Sequence, residues 1–190
     1  MAEVLYVEPV VRFCAVISRY ETLREAAIER LRAEWGTITR RSEPLPFVAG
    51  GYYTSSMGED LRKVLVSFGD PIQADSMSAW KLWTNEVEAE LANDGFPETR
   101  PVNLDPGYIT QAKLVLATTK DRDHRVYLRD GIFGEITLTY TAKKWVHHRW
   151  SYPDYRTEAV AKFATDCRND LRQFLQQSTG FRQRTGDSPS

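Results

Sequence analysis

Asn103-Leu104-Asp105-Pro106-Gly107-Tyr108 is the stretch on which the partition of the chain turns. Two backbone breakers stand beside an acid, an amide and a phenol, between two apolar segments. Proline fixes φ and glycine reaches φ > 0, so the hexapeptide reads as a sharp turn holding polar side chains at the edge of a core. Downstream, Ala112 to Thr118 is apolar on both faces, the pattern of a buried strand. Upstream, Met77, Trp80, Val87 and Leu91 make the stripe of a helix from about Asp75 or Ser76 to Asn93, ended by Asn93-Asp94-Gly95.

Earlier segments complete the order. Arg62 to Phe68 reads as a strand broken by Gly69-Asp70-Pro71. Gly50 to Gly58 reads as a loop, and Pro44-Leu45-Pro46-Phe47-Val48 as an edge or irregular strand, because proline cannot donate to a central ladder. Thr22-Leu23-Arg24-Glu25 has the form of a capping box. The helix after it puts Leu23, Ala27, Ile28, Leu31 and Trp35 on one face and stops at Gly36. Val10 to Ser18 reads as a strand buried on both faces. Strand, helix, strand, strand, helix, strand predicts an α+β chain with a ferredoxin-like βαββαβ sandwich on an antiparallel sheet.

The last third extends that sheet. His124 to Arg129 and Ile132 to Tyr140 flank Asp130-Gly131, a type I′ hairpin signal. Trp145 to Trp150 adds a further strand. A C-terminal helix follows with the stripe Val160, Phe163, Ala164, Cys167, Leu171, Phe174 and Leu175. The expectation is one domain over residues 1–176 and a polar, disordered tail over 177–190.

Composition excludes several classes. The 25 basic and 26 acidic side chains leave a net charge of −1, so nothing draws the whole chain to nucleic acid or membrane. Two cysteines, Cys14 and Cys167, sit in apolar patterns and read as buried free thiols, which suits a reducing cytoplasm. Met1 to Pro9 lacks the basic-then-apolar form of a signal peptide, and no apolar run approaches bilayer length. A soluble cytoplasmic protein without a membrane partner is expected.

Few motifs carry chemistry. There is no P-loop and no dinucleotide-binding glycine motif, and Thr119-Lys120 lacks the acid two places on that a guanine-specific motif needs. His147-His148 would point to opposite faces of a strand and cannot chelate together. A hard cation on Asp105, Glu59, Glu88 or Glu135 has no supporting spacing, so metal and cofactor stay open. The hairpin is more informative. A two-residue turn pairs Arg129 with Ile132, Leu128 with Phe133 and Val126 with Glu135, which sets Glu135 diagonal to His124. Such a pair could transfer protons, or serve as a structural edge contact. Lys81, Thr84, Asn85 and Glu88 share one face of the second helix, as ligand donors or as a solvated row. Lys120, Arg122, His124 and Arg125 crowd one connection, suited to a phosphate or to solvent.

Taken together, Tyr52-Tyr53, Met57-Gly58-Glu59, Lys81 with Thr84-Asn85 and Glu88, Asn103 to Tyr108, Thr119-Lys120, His124 to Leu128, Gly131 to Leu138 and Tyr152-Pro153-Asp154-Tyr155-Arg156 resemble the prokaryotic domain of unknown function 4416 family. The resemblance runs from about Val10 to Arg172. It carries no activity, and it implies that polar residues from separate segments form one surface. The expected site has Asp105, His124 and Glu135 as its proton-handling groups. Tyr53, Glu59, Lys81, Asn85, Glu88, Asn103, Tyr108, Lys120 and Arg125 would bind the ligand.

Three functions compete. The favoured one is an enzyme acting on a small phosphate- or carboxylate-bearing ligand, because the cluster mixes acids and bases. The others are a non-catalytic nucleotide- or RNA-binding module, with nucleic acid the less favoured partner, and a structural or partner-binding protein. Substrate, reaction and oligomeric state are left open.

Overall fold

β1 (Val10–Ser18) is apolar along almost its whole length because it has no solvent face. In the computed structural model, which describes residues 7–47, 53–93 and 95–178, it pairs antiparallel with β4 (Arg62–Ile72) on one side and with β5 (Asn103–Ile109) on the other. Outside β4 lie β2 (Ile38–Arg41) and the two-residue β3 (Leu45–Pro46). Outside β5 come β6 (Lys113–Thr118) and β8 (Ile132–Thr141), and β7 (Val126–Arg129) and β9 (Lys144–His147) share the outer edge of β8. Every ladder is antiparallel, and the path β2-β4-β1-β5-β6-β8-β7 forms the spine of a nine-stranded sheet.

Helices cover both faces. α1 (Glu21–Trp35) connects β1 to β2, and α3 (Met77–Ala92) connects β4 to β5. Each returns the chain parallel to its first strand with one strand left between. Their apolar stripes meet Cys14, Val16, Val64, Val66 and Leu104 on one face of the sheet. α4 (Glu158–Ser178) lays Val160, Phe163, Cys167 and Leu171 over Phe13, Ala15, Leu65 and Leu116 on the other. Adjacent residues of β1 therefore enter different cores, which is why period-two alternation is absent from it. The chain is α+β, and its nine-stranded sheet is larger than the expected four strands extended by a hairpin and one further strand. No helix of the described residues is long and apolar enough to cross a membrane.

The hexapeptide at residue 103 is not a turn but most of β5, a central strand. Its proline is tolerated because of where its missing N–H points. Leu104 gives its N–H to Glu88 and its C=O to Lys81, so this parity of the strand faces away from β1. Pro106 shares the parity, and the ladder to β6 covers only Gly107, Tyr108 and Ile109. The absent donor therefore falls where there is no ladder to break. Gly107 does not take positive φ. A Cβ there would stand 2.2 Å from the carbonyl oxygen of Val115 and 3.0 Å from the Phe13 ring, so the glycine is required by close approach of neighbours.

Other expectations are corrected in the same way. β4 continues through Gly69-Asp70-Pro71 to Ile72, absorbing them in an irregularity: Val10 faces Ile72 while Arg12 faces Phe68, and Gly69 takes φ +60°. α1 starts at Glu21 with no side-chain cap; the Tyr20 N–H is bound instead by Ser18 Oγ. The hairpin turn has positive φ at Asp130 and Gly131, as its sequence demands. Leu128 is bulged out of the ladder, however, so Tyr127 faces Phe133 and Val126 faces Gly134. The last expected strand is shorter, Lys144–His147. β2 and the one-turn α2 (Thr54–Met57) are additions; each is too short to show a period. The 176 boundary falls inside α4. The parts of the expected loop, helix end and tail at residues 48–52, 94 and 179–190 lie outside the described residues.

Gly107→Ala is expected to lower the urea midpoint at unchanged m by an amount equal to about 3 kcal/mol, the upper end of overpacking costs. Gly131→Ala has open space but φ +75° and should cost about 1 kcal/mol. Equal costs would show that β5 does not lie against Val115.

Candidate functional site

β5 and β6 part company at Gly107. β5 stays paired with β1 back to Asn103, whereas β6 stays paired with β8 out to Thr118. The splay leaves a crevice of about 80 Å³ within the sheet. Asn103 and Asp105 form one wall, and Leu116, Ala117 and Thr118 form the other. Lys81 enters from α3, and Asp154 and Tyr155 come from the short turn before α4. Tyr53, Arg100, Lys120, Arg125, Glu135 and Tyr152 complete the lining. An opening of this size holds several water-sized groups.

One end of the crevice is an ordered polar network. Glu88 Oε1 accepts the Leu104 N–H at 2.7 Å, and Glu88 Oε2 accepts Arg100 Nη2 at 2.8 Å. Lys81 Nζ donates to the Leu104 carbonyl at 2.7 Å and lies 3.6 Å from Asp105 Oδ1. Asn103 bridges, accepting from Arg100 and donating to Asp105 Oδ2 at 2.7 Å. The side chains of a helix thus do for the opened strand what a neighbouring strand would have done. Burial pulls the pKa of the Arg100 guanidinium down, but Glu88 more than offsets it and the net shift is upward.

On β8, Glu135 is 2% exposed. Its Oε2 accepts from Arg125 Nε at 2.8 Å and contacts His124 Nε2 at 3.1 Å, and its Oε1 accepts from Thr137 Oγ1 at 3.2 Å. The expected Glu135–His124 contact forms, by way of the bulged register, but Arg125 is the closer partner. Arg125 Nη1 also donates to the Lys120 carbonyl, tying down the charged connection. Burial pulls the Arg125 pKa down, but Glu135 and Tyr152 overcome it and the net shift is upward.

A third group adjoins the crevice through Asp154 and Tyr155. Lys63 is fully enclosed, with Nζ 2.5 Å from Asp154 Oδ2 and 3.8 Å above the Tyr155 ring. Burial pulls this ammonium below its usual value, against the opposing pull of Asp154. Tyr155 is 4% exposed, and its hydroxyl has no hydrogen-bond partner among the described residues. Burial, reinforced by Asp105 and Asp154, pushes the Tyr155 pKa well above 10.0.

Of the residues expected from sequence, Tyr53, Lys81, Asn103, Asp105, Lys120, Arg125 and Glu135 line the crevice. Glu88 and His124 stand behind it, holding Arg100 and Glu135. Three do not join. Glu59 is exposed, Asn85 sits beside the buried row without reaching the crevice, and Tyr108 is at the other end of β5. The helix row is not a solvated face, since Lys81, Thr84 and Glu88 are buried. Sequence reasoning passed over Lys63 and Arg100, and named Asp154 and Tyr155 only within the family stretch, without a role. Lys63 had a signal, a cation next to Arg62 at the start of a buried apolar run; Arg100, in a connection without periodicity, had none. His148 is bound by Thr139 and stacks on Trp150 at 4.7 Å, and no group of three or more His, Cys, Asp or Glu is placed to hold a metal among the described residues.

Asp154→Asn leaves Lys63 enclosed without its counter-charge and is expected to cost about 3 kcal/mol in urea unfolding, most of it recovered in the double variant with Lys63→Met. Tyr155 adds a pH dependence. The native phenol keeps a proton that the unfolded chain loses above pH 10.0, so stability falls as pH rises past that value. Tyr155→Phe should lose less stability over the same interval, as read from melting temperature against pH.

A family model, Domain of unknown function (DUF4416), matches residues 8–171 of the chain. No curated protein and no solved structure matches it significantly.

Proposed function

We infer that this chain, which belongs to the DUF4416 family, is an enzyme acting on a small phosphate- or carboxylate-bearing ligand held in the β5–β6 crevice. The observation that carries this reading is the composition of one small cavity: Lys81, Arg100, Lys120 and Arg125 share its lining with Asp105. Cations in a partly desolvated cleft bind oxyanions strongly, and arginine does so with fork geometry. Asp105, with its side chain 32% exposed, is the carboxylate open to a ligand proton. Glu88, Glu135 and Asp154 are already engaged with Arg100, Arg125 and Lys63 and act as positioning groups. His124, in contact with Glu135 and Asp123, gives that side of the site a path for a proton to solvent.

The same reading takes β2-β4-β1-β5 with α1 and α3 as a ferredoxin-like half, extended by the later strands. It places the chain in a reducing cytoplasm, where Cys14 and Cys167 stay free. A second reading has one observation in its favour: Glu88, Arg100 and Asn103 are bonded together and Lys81 is bonded to the Leu104 carbonyl, as in a purely structural network. Nucleic-acid binding is weaker, because both faces of the central strands are covered by helices and offer no bare basic surface.

Titration with inorganic phosphate and with malonate tests binding. The expected result is a saturable rise in melting temperature for at least one of them, with Lys120→Ala weakening it about tenfold. No shift with either anion would favour the structural reading. Turnover of a panel of phosphomonoesters and carboxylic esters tests catalysis; Asp105→Asn should lower it at least about a hundredfold while the protein still folds and binds.

A further inference from the structure

Two polar atoms of crevice-lining residues are not used by anion binding. The Tyr155 hydroxyl is buried and unpartnered, and Asp105 Oδ1 has Lys81 at 3.6 Å but no hydrogen bond among the described residues. Both residues line the same cavity. The phenol is a donor without an acceptor, and the carboxylate oxygen, ion-paired with Lys81, keeps capacity to accept a hydrogen bond. A buried hydroxyl left without a partner is costly, which marks it as a group that is satisfied when the site is filled.

We propose that Tyr155 Oη and Asp105 Oδ1 form a hydroxyl-recognition subsite of the crevice, so that the ligand is a hydroxylated anion. A hydroxyl is the simple group that accepts and donates through a single atom: it accepts from the phenol and donates to the carboxylate. The oxyanion then falls to Lys120 and Arg100, cations of the same lining. Burial and the neighbouring carboxylates keep the Tyr155 phenol protonated, which suits it to donate. Asp105 would both fix the alcohol and stand next to its proton. This assignment rests on the anion-binding reading and adds to it a second functional group on the ligand.

The test is a calorimetric titration with two matched pairs, glycerol phosphate against propyl phosphate and glycerate against propanoate. In the wild-type protein the hydroxylated member of one pair is expected to bind about tenfold more tightly than its deoxy partner. Which pair shows the preference tells phosphate from carboxylate. Tyr155→Phe should keep the affinity for the deoxy compound and abolish the preference. It should also melt at or above the wild-type temperature, since it removes only an unsatisfied hydroxyl. Equal binding of hydroxylated and deoxy compounds to the wild-type protein overturns the subsite, with water as its occupant, and leaves the anion reading standing. Failure of all four compounds to bind overturns both. A Tyr155→Phe protein that melts lower assigns the hydroxyl a structural role and also overturns the subsite.

Discussion

The separation of β5 from β6 is the constraint on which the rest depends. A central strand whose neighbour leaves it exposes backbone donors and acceptors inside the protein, and each must be met. Glu88 and Lys81, seven residues or about two turns apart on α3, take the N–H and C=O of Leu104. That solution introduces two charges into a buried region. Arg100, Asn103 and Asp105 then balance and orient them. The polar cluster and the opening of the sheet are therefore one structural fact. The strands can diverge because side chains replace the ladder, and those side chains line what the divergence opens.

Such clusters gain little stability over a well-packed apolar core, because the loss of hydration opposes the attraction between charges. Here the arrangement recurs in three places around one cavity: Glu88 with Arg100, Glu135 with Arg125, and Asp154 with Lys63. Each joins groups from different elements. Each also leaves a cation or a hydroxyl on the cavity wall. The pattern fits a preorganised site, in which rotamers are fixed before a ligand arrives. The unpartnered Tyr155 hydroxyl is the point at which structural satisfaction runs out.

Legibility differed between fold and site for physical reasons. The helix stripes were readable because Leu23, Ala27, Ile28, Leu31 and Trp35, or Val160, Phe163, Cys167 and Leu171, repeat with the helical period. β5 was not, since local rules assign Asp-Pro-Gly to turns and only the identity of its neighbours makes it a strand. Gly107 illustrates the difference: the sequence suggested conformational freedom, whereas a carbonyl across the sheet demands the absence of a side chain. Leu128 shifted the hairpin register by a bulge that no turn rule contains. The polar residues of Asn103 to Asp105 and of the Lys120–Arg125 connection did mark the cavity, because charged and amide groups amid apolar segments must find partners.

By itself the sequence determined the α+β class, the apolar faces of the helices, the type I′ hairpin turn and the family. These depend on residue type and spacing within short windows. Tertiary structure alone decided that a proline-glycine segment lies at the centre of a sheet, that Lys63, Asp154 and Tyr155 join the cleft, and that Glu59, Asn85 and Tyr108 do not. Those outcomes depend on which strands leave each other and where, a property of strand pairing between distant segments that no local pattern encodes.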